Sequence, residues 1–288
     1  MKEYFEFKAT GTSWTINLGE NYSNEIRNTI INRIETFEQN YSRFRSDSLV
    51  SKMAHTAGTY TMPEDAKNLF ALYRRLYDIT DGMVNPFMGK TLSDAGYDPT
   101  YSLQPKENIT KPPQWDAVMK YEHPTLTLEK PVTFDFGAAG KGYLVDIVAK
   151  IIEDSGIQSY MINAGGDIMY RNEKNKSLRV GLENPENQQQ VVGVAEIINQ
   201  SICGSAGNRR AWGEFTHIID PKTGKSPKNI LAVWVVAENT ALADGLTTAL
   251  FFTNPEKIQT AFKFEYAIVY ADHSGKISPN FPGTFFSN

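Results

Sequence analysis

Apolar and polar residues alternate along residues 4–18 around Gly11, a spacing that predicts a pair of strands. Ile26, Ile30, Ile34 and Phe37 then recur at helical intervals within residues 23–40, and a second helix is predicted over 64–80. Across 81–113 the periodic apolar positions thin out while Gly, Pro, Asp and Asn accumulate. That stretch reads as a long loop region, and long loops inside compact domains tend to be functional. Beyond it the pattern predicts a strand at Leu126 and Leu128, a turn at Pro131, a strand over 132–136 and a Gly-rich turn. A helix follows with Leu144, Val145, Val148, Ile151 and Ile152 on one face, ended by Gly156. Strands are predicted at 160–163, 177–182, 191–198 and 232–237, then a helix over 240–252 and a last strand at 266–270. No repeat, low-complexity tract or linker divides the chain, so residues 1–288 read as one α+β domain of mostly antiparallel sheet with flanking helices.

Composition narrows the partners. With 41% hydrophobic and 22% charged residues, the chain has the balance of a soluble globular protein and enough length to bury a large core. A net charge of -4 leaves no overall basic footprint for a nucleic-acid backbone, so an anionic ligand must be met locally. The single cysteine, Cys203, excludes an internal disulfide framework and a thiolate zinc cluster within one chain, and reads as a small buried hydrophobe. Charges fall within the first eight residues, and no apolar run reaches signal-peptide or bilayer-spanning length. With Met1 as the natural start, the expected location is the cytoplasm.

Three stretches carry candidate chemistry. Val-Thr-Phe-Asp-Phe-Gly-Ala-Ala-Gly-Lys-Gly-Tyr at 132–143 runs a strand through small residues into a helix start, where backbone N–H groups and the Lys141 charge could cradle an anion. It matches neither the Walker A nor the GxGxxG spacing, so a plain tight turn reads equally well. Asp244 and Thr248 lie four apart in a helix that is apolar nearly all round. A carboxylate there is costly unless paired or bound to a hard cation such as magnesium; the alternative is a capping Asp and a Thr bonded to its own turn. Finally, His217 is expected on a short strand ending in an Asp-Pro-x-x-Gly turn. Its position alone does not separate a catalyst from a structural residue, and His55, His123 and His273 show no metal-ligand spacing with it.

Taken together and in order, the motifs resemble those of the ApbE family, the FAD:protein FMN transferases, over nearly the whole chain. The blocks are Thr-Gly-Thr at 10–12, Tyr-Ser-Arg-Phe-Arg-Ser-Asp-Ser-Leu-Val-Ser at 41–51, Asp-Gly-Met-Val-Asn-Pro at 81–86 and Asp-Phe-Gly-Ala-Ala-Gly-Lys-Gly-Tyr at 135–143. They continue with Asn-Ala-Gly-Gly-Asp-Ile at 163–168, Thr-His-Ile-Ile-Asp-Pro-Lys-Thr-Gly at 216–224 and Ala-Asp-Gly-Leu-Thr-Thr-Ala-Leu at 243–250. Where the family usually carries Met, Asp, Ser and an aromatic, this chain has Thr10, Asn85, Ala206 and Arg209.

The resemblance implies a Mg2+ ion held by Asp244, Thr248 and a backbone carbonyl in the 137–140 turn, that of Ala138. It implies FAD as substrate, contacted by Thr10, Phe44, the Ala95-Gly96-Tyr97 loop, Asp135, Lys141, His217 and Ile218. Asp135 would face the adenine or ribose and Lys141 the pyrophosphate. The implied reaction is displacement at phosphorus, which joins FMN to a Ser or Thr hydroxyl of a target flavoprotein and releases AMP. Asp244 and Lys141 would stabilise charge, and His217 would accept the hydroxyl proton. Two other readings use the same residues. One is an FAD pyrophosphatase in which water replaces the hydroxyl; the other is a non-catalytic FAD-binding module, which would have no use for the Asp244 and Thr248 pair.

Overall fold

The computed structural model describes residues 4–19 and 23–286. The charged start at Lys2 and Glu3 that entered the reading of location lies outside the described residues. The chain opens with β1 (Tyr4–Ala9) and β2 (Thr12–Asn17), then α1 (Asn24–Tyr41), α2 (Leu49–Met53), β3 (Gly58–Thr61), α3 (Ala66–Ile79) and α4 (Gly89–Asp94). It continues through β4 (Met119–Glu122), β5 (Thr125–Leu128), α5 (Gly140–Asp154), β6 (Tyr160–Ala164), β7 (Asp167–Arg171), β8 (Leu178–Asn184) and β9 (Asn187–Ile197). It closes with β10 (Ser201–Ala206), β11 (Ala211–Trp212), β12 (Phe215–Thr216), β13 (Ile230–Ala237), α6 (Thr240–Ala249), α7 (Pro255–Gln259), β14 (Glu265–Tyr270), β15 (Gly275–Ile277) and β16 (Gly283–Phe285).

Eight strands form one sheet in the order β1-β2-β6-β7-β10-β13-β14-β15, and every pairing in it is antiparallel. The α+β class with mostly antiparallel sheet is therefore as expected. Both faces of this sheet are covered. On β13, Val233 and Val235 point into a core shared with α1, α3, α5 and α6, while Ala232, Trp234 and Val236 point into a second core closed by the β16-β9-β8 sheet. A strand buried on both faces needs apolar residues at every position, which is why residues 230–237 read as a continuous run and not as an alternation. No helix of the described residues is long and apolar enough to cross a membrane.

The helix boundaries follow their caps. Ser23 accepts the Ile26 N–H at the start of α1. At the end of α5 the Gly156 N–H donates to the Glu153 carbonyl at 2.9 Å and the Ile157 N–H to the Ile152 carbonyl at 3.3 Å. With Gly156 at φ +88°, these two bonds make a Schellman ending. The start of α6 is satisfied twice over: Asn239 accepts from the Leu242 N–H, and the two carboxylate oxygens of Asp146 on α5 accept from the N–H groups of Thr240 and Ala241, each at 2.8 Å. Helix α5 approaches α6 so closely that a Cβ on Gly142 would lie 2.3 Å from the Thr240 carbonyl oxygen, so only glycine fits there.

Two expectations need correction. Residues 132–136 keep the predicted in-out alternation, with Val132, Phe134 and Phe136 buried, but they join no ladder. Their backbone bonds go singly to irregular neighbours: Val132 N–H to the Met53 carbonyl, Asp135 N–H to the Pro86 carbonyl, and the Thr133 carbonyl to the Gly89 N–H. The 81–113 stretch contains α4, tied down by its last residue. Asp94, 1% exposed, pairs with Lys90 and Lys106 and accepts the Thr110 N–H; burial pushes its carboxyl up, but these partners outweigh burial and hold it below the usual carboxylate range.

Candidate functional site

A cavity of about 400 Å³ opens between the tip of the β1-β2 hairpin, the start of α1's C-terminal extension at Tyr41 to Arg45, the 81–101 connection and the N-terminal end of α5. It is drawn from both ends of the chain, since Thr10 and Phe252 both line it. The hairpin tip places Thr10 at φ +51° and Gly11 at φ +71°, the two positive angles of a type I′ turn. A β-branched residue is strained in that conformation, by about 1–3 kcal/mol. Surrounding bonds hold it: the Thr10 N–H donates to Glu38 Oε1 at 2.8 Å, and the Trp14 indole N–H reaches the Thr10 hydroxyl at 3.2 Å.

Aromatic rings form one wall. Phe44 stacks on Tyr101 at 5.5 Å between centroids, Tyr97 meets both rings edge-on, and Trp212 stacks behind Tyr97 at 5.9 Å. The Arg43 guanidinium lies over Phe44 at 4.2 Å, pairs with Asp135 and donates to the Tyr97 carbonyl at 2.9 Å. Such a cation-backed cluster of ring faces and edges suits a planar ring system.

The rest of the lining includes backbone and polar groups. Ala138, Gly140 and Lys141 contribute at the entry to α5, with Thr248 from α6 and with His217 and Ile218. The Lys141 ammonium is not a lone charge: it forms an ion pair with buried Asp167 and donates to the Ala164 carbonyl at 3.2 Å. That carbonyl belongs to the tight β6-β7 turn, where a Cβ on Gly165 would meet the Thr12 hydroxyl at 2.1 Å. Gly165 is thus fixed by a close approach, and it explains why the Asn-Ala-Gly-Gly-Asp block stands out in the sequence.

Asp244 lies behind this lining, 6% exposed, with Oδ2 accepting the Gly142 N–H at 2.8 Å. Burial pushes its carboxyl up, against the opposite pulls of Lys141 and of the Gly142 N–H. Tyr73 connects the region, its hydroxyl accepting from the Ala139 N–H at 3.1 Å. His217 sits just past β12, not within a strand as expected, with its N–H on the Arg210 carbonyl at 3.1 Å. Its Nδ1 is buried without a hydrogen-bond partner. Burial, aided by the Arg210 charge, pulls the imidazole down to about 4, so it is neutral at pH 7 and a weaker base than a free histidine.

Several expected contacts sit differently. Ala95 and Gly96 do not line the cavity: Ala95 is fully buried and accepts the Trp212 indole N–H, and Gly96 packs its backbone against Gln104, leaving Tyr97 to face inward. Both Asp135 oxygens are engaged within the protein, by Arg43 and by the Gly137 N–H. Arg43, Tyr101 and Arg210 line the cavity without having been singled out. Arg43 did stand inside a marked segment, but nothing in the spacing distinguished it or Arg210 from surface arginines. The unusual Asn85 has a local reason, since it donates to the Pro113 carbonyl and accepts the Phe87 N–H, and an Asp could not do both. Arg209 donates to the Gly165 carbonyl at 2.8 Å and pairs with Glu183, bracing the same turn.

The oxygen donors of Asp244, Thr248 and the Ala138 carbonyl match a hard cation such as magnesium, and the raised Asp244 carboxyl is a group that a cation would relieve. Among the described residues no cluster of three or more His, Cys, Asp and Glu side chains offers a rival centre.

The ApbE family model matches residues 10–269. The FAD:protein FMN transferase of Klebsiella pneumoniae is 25% identical over 91% of this chain and 82% of its own length. That of Haemophilus influenzae is 29% identical over 79% of this chain and 72% of its own length. Among solved structures, the ApbE protein of Thermotoga maritima superposes with a TM-score of 0.80 at 20% identity, covering 96% of this chain and 97% of that one. The flavin transferase ApbE of Vibrio cholerae gives 0.77 at 20% identity over 96% and 97%.

Proposed function

The chain belongs to the ApbE family, and from that premise we propose that it is an FAD:protein FMN transferase, magnesium-dependent, which attaches FMN through a phosphodiester to a Ser or Thr hydroxyl of a target flavoprotein and releases AMP. In this reading residues 1–288 act as one transferase domain. The observation that carries the chemistry is His217, a cavity-lining imidazole that burial keeps neutral, in a cavity that a cluster of aromatic rings also lines.

The aromatic wall binds a ring of FAD and brings the pyrophosphate to the polar part of the lining. There the acceptor hydroxyl attacks the FMN phosphorus, its proton passes to the His217 imidazole, and the bond between that phosphorus and the AMP oxygen breaks. Asp244, Thr248 and the Ala138 carbonyl would hold a magnesium ion, which would supply charge neutralisation for the departing phosphate. Asp135 holds Arg43 against the aromatic wall, and Lys141 fixes the α5 entry to the β6-β7 turn.

The direct test incubates this protein with FAD, magnesium and a candidate flavoprotein subunit, and reads the subunit's intact mass. A gain of one FMN residue matched by one AMP released is expected; AMP and FMN released with no mass gain on any acceptor would assign hydrolysis instead.

His217→Asn should keep FAD affinity and slow transfer by roughly 10²-fold or more. Because the folded pKa lies below the ordinary histidine value, the base stays unprotonated until pH falls toward 4. The acid limb of kcat/KM in the unsubstituted protein should therefore fall near 4 and not near 6.5. An unchanged rate in the variant, or the same acid limb in both proteins, removes His217 from the mechanism.

A further inference from the structure

Four cationic side chains line the cavity: Arg43, Arg45, Lys141 and Arg210. Three of them are matched by carboxylates, Arg43 by Asp135, Arg45 by Glu35 and Asp47, and Lys141 by Asp167. Among the described residues no carboxylate pairs with Arg210. Its guanidinium donates instead to the neutral Tyr97 hydroxyl and sits 5.7 Å from the centre of that ring. It also reaches the hairpin tip, since a Cβ on Gly11 would meet its Nη2 at 3.7 Å, and its own carbonyl accepts the His217 N–H. The two carboxylates that line the cavity are committed elsewhere, Asp135 to Arg43 and Glu38 to the Thr10 N–H.

This distribution separates the four residues. A cation already set against a carboxylate presents a neighbouring anion with little more than a dipole. An unmatched guanidinium presents its full charge, and a hydrogen bond to a phenol uses one of its five N–H donors without cancelling that charge. The remaining fork has the geometry that grips two phosphate oxygens at once. We propose that Arg210 is the phosphate-binding residue of the cavity, holding a phosphate of the dinucleotide on the His217 side, with Tyr97 orienting the guanidinium. The inference rests on reading the cavity as the FAD site, and it assigns to Arg210 the net positive charge that Lys141 spends on Asp167.

The test is ligand titration of the full chain with FAD, ADP and riboflavin, with EDTA present so that no turnover occurs. Arg210→Gln should weaken FAD and ADP by about 10-fold or more, the effect of losing a charged hydrogen bond, and leave riboflavin, which has no phosphate, within about twofold. Arg210→Lys should recover part of the loss, and the FAD affinity of the unsubstituted protein should fall with added salt more steeply than that of Arg210→Gln. Equal weakening of all three ligands, or unchanged FAD affinity in Arg210→Gln, overturns the proposal. If the unsubstituted protein binds none of the three, the reading of the cavity fails first, and the proposal with it.

Discussion

Asp244→Asn is expected to lower AMP release from FAD by roughly 10²–10³-fold or more, the scale of removing one pre-organised charge from a phosphate-transfer site, while the protein stays folded. The amide has the shape of the carboxylate, and its oxygen can still accept the Gly142 N–H, so the junction of α5 and α6 survives. What disappears is the negative charge that would hold a cation. Asp244→Ala is a poorer probe, because it leaves the buried Gly142 N–H unsatisfied at a cost of about 1–3 kcal/mol. Chromatographic measurement of AMP across a magnesium titration checks the point. Full activity in Asp244→Asn, or activity of the unsubstituted protein that a chelator leaves untouched, would sink the metal assignment.

The second large effect concerns stability. Lys141→Met should lower the unfolding free energy by about 3 kcal/mol or more, because Asp167 is 2% exposed and would keep a buried charge without its cation. The double variant Lys141→Met with Asp167→Asn should recover most of that loss, since it removes both charges together. Denaturant midpoints of the two variants decide the matter. If the single substitution costs under about 0.5 kcal/mol, the pair is solvated and Lys141 has its charge free for a ligand.

Much of this architecture is legible in the sequence. Helices α1, α3, α5 and α6 follow from apolar spacing, with Gly156 ending α5, because each turns one stripe or its whole surface to a core. The Gly-rich turn before Lys141 and the Asp244 and Thr248 pair draw attention on pattern, but each also has a bland reading as a tight turn or a cap, and only their order with the other blocks singles them out. The segment 132–136 deceived the strand reading, since alternation records which side chains are buried and says nothing of whether the backbone has a ladder partner. β7 and β10 escaped it because their runs are short and merge with turn residues. Charge pairing is the least legible of all. That Lys141 belongs to Asp167, and that Arg210 is left without a carboxylate, depends on which of 29 cations meets which of 33 acids in three dimensions.

The cavity takes its wall from residues near 10, 43, 97, 138, 217 and 248, six stations along the chain. No fragment that stops short of α6 can hold the site, so with the cavity read as the FAD site the flavin has nothing to bind until α6 has been made. Once bound, it would act as a clasp across distant segments, adding about 2.7 kcal/mol at a hundredfold excess over its dissociation constant. That added stability belongs only to a chain that already includes α6, so the ligand gives no help to the folding of shorter parts.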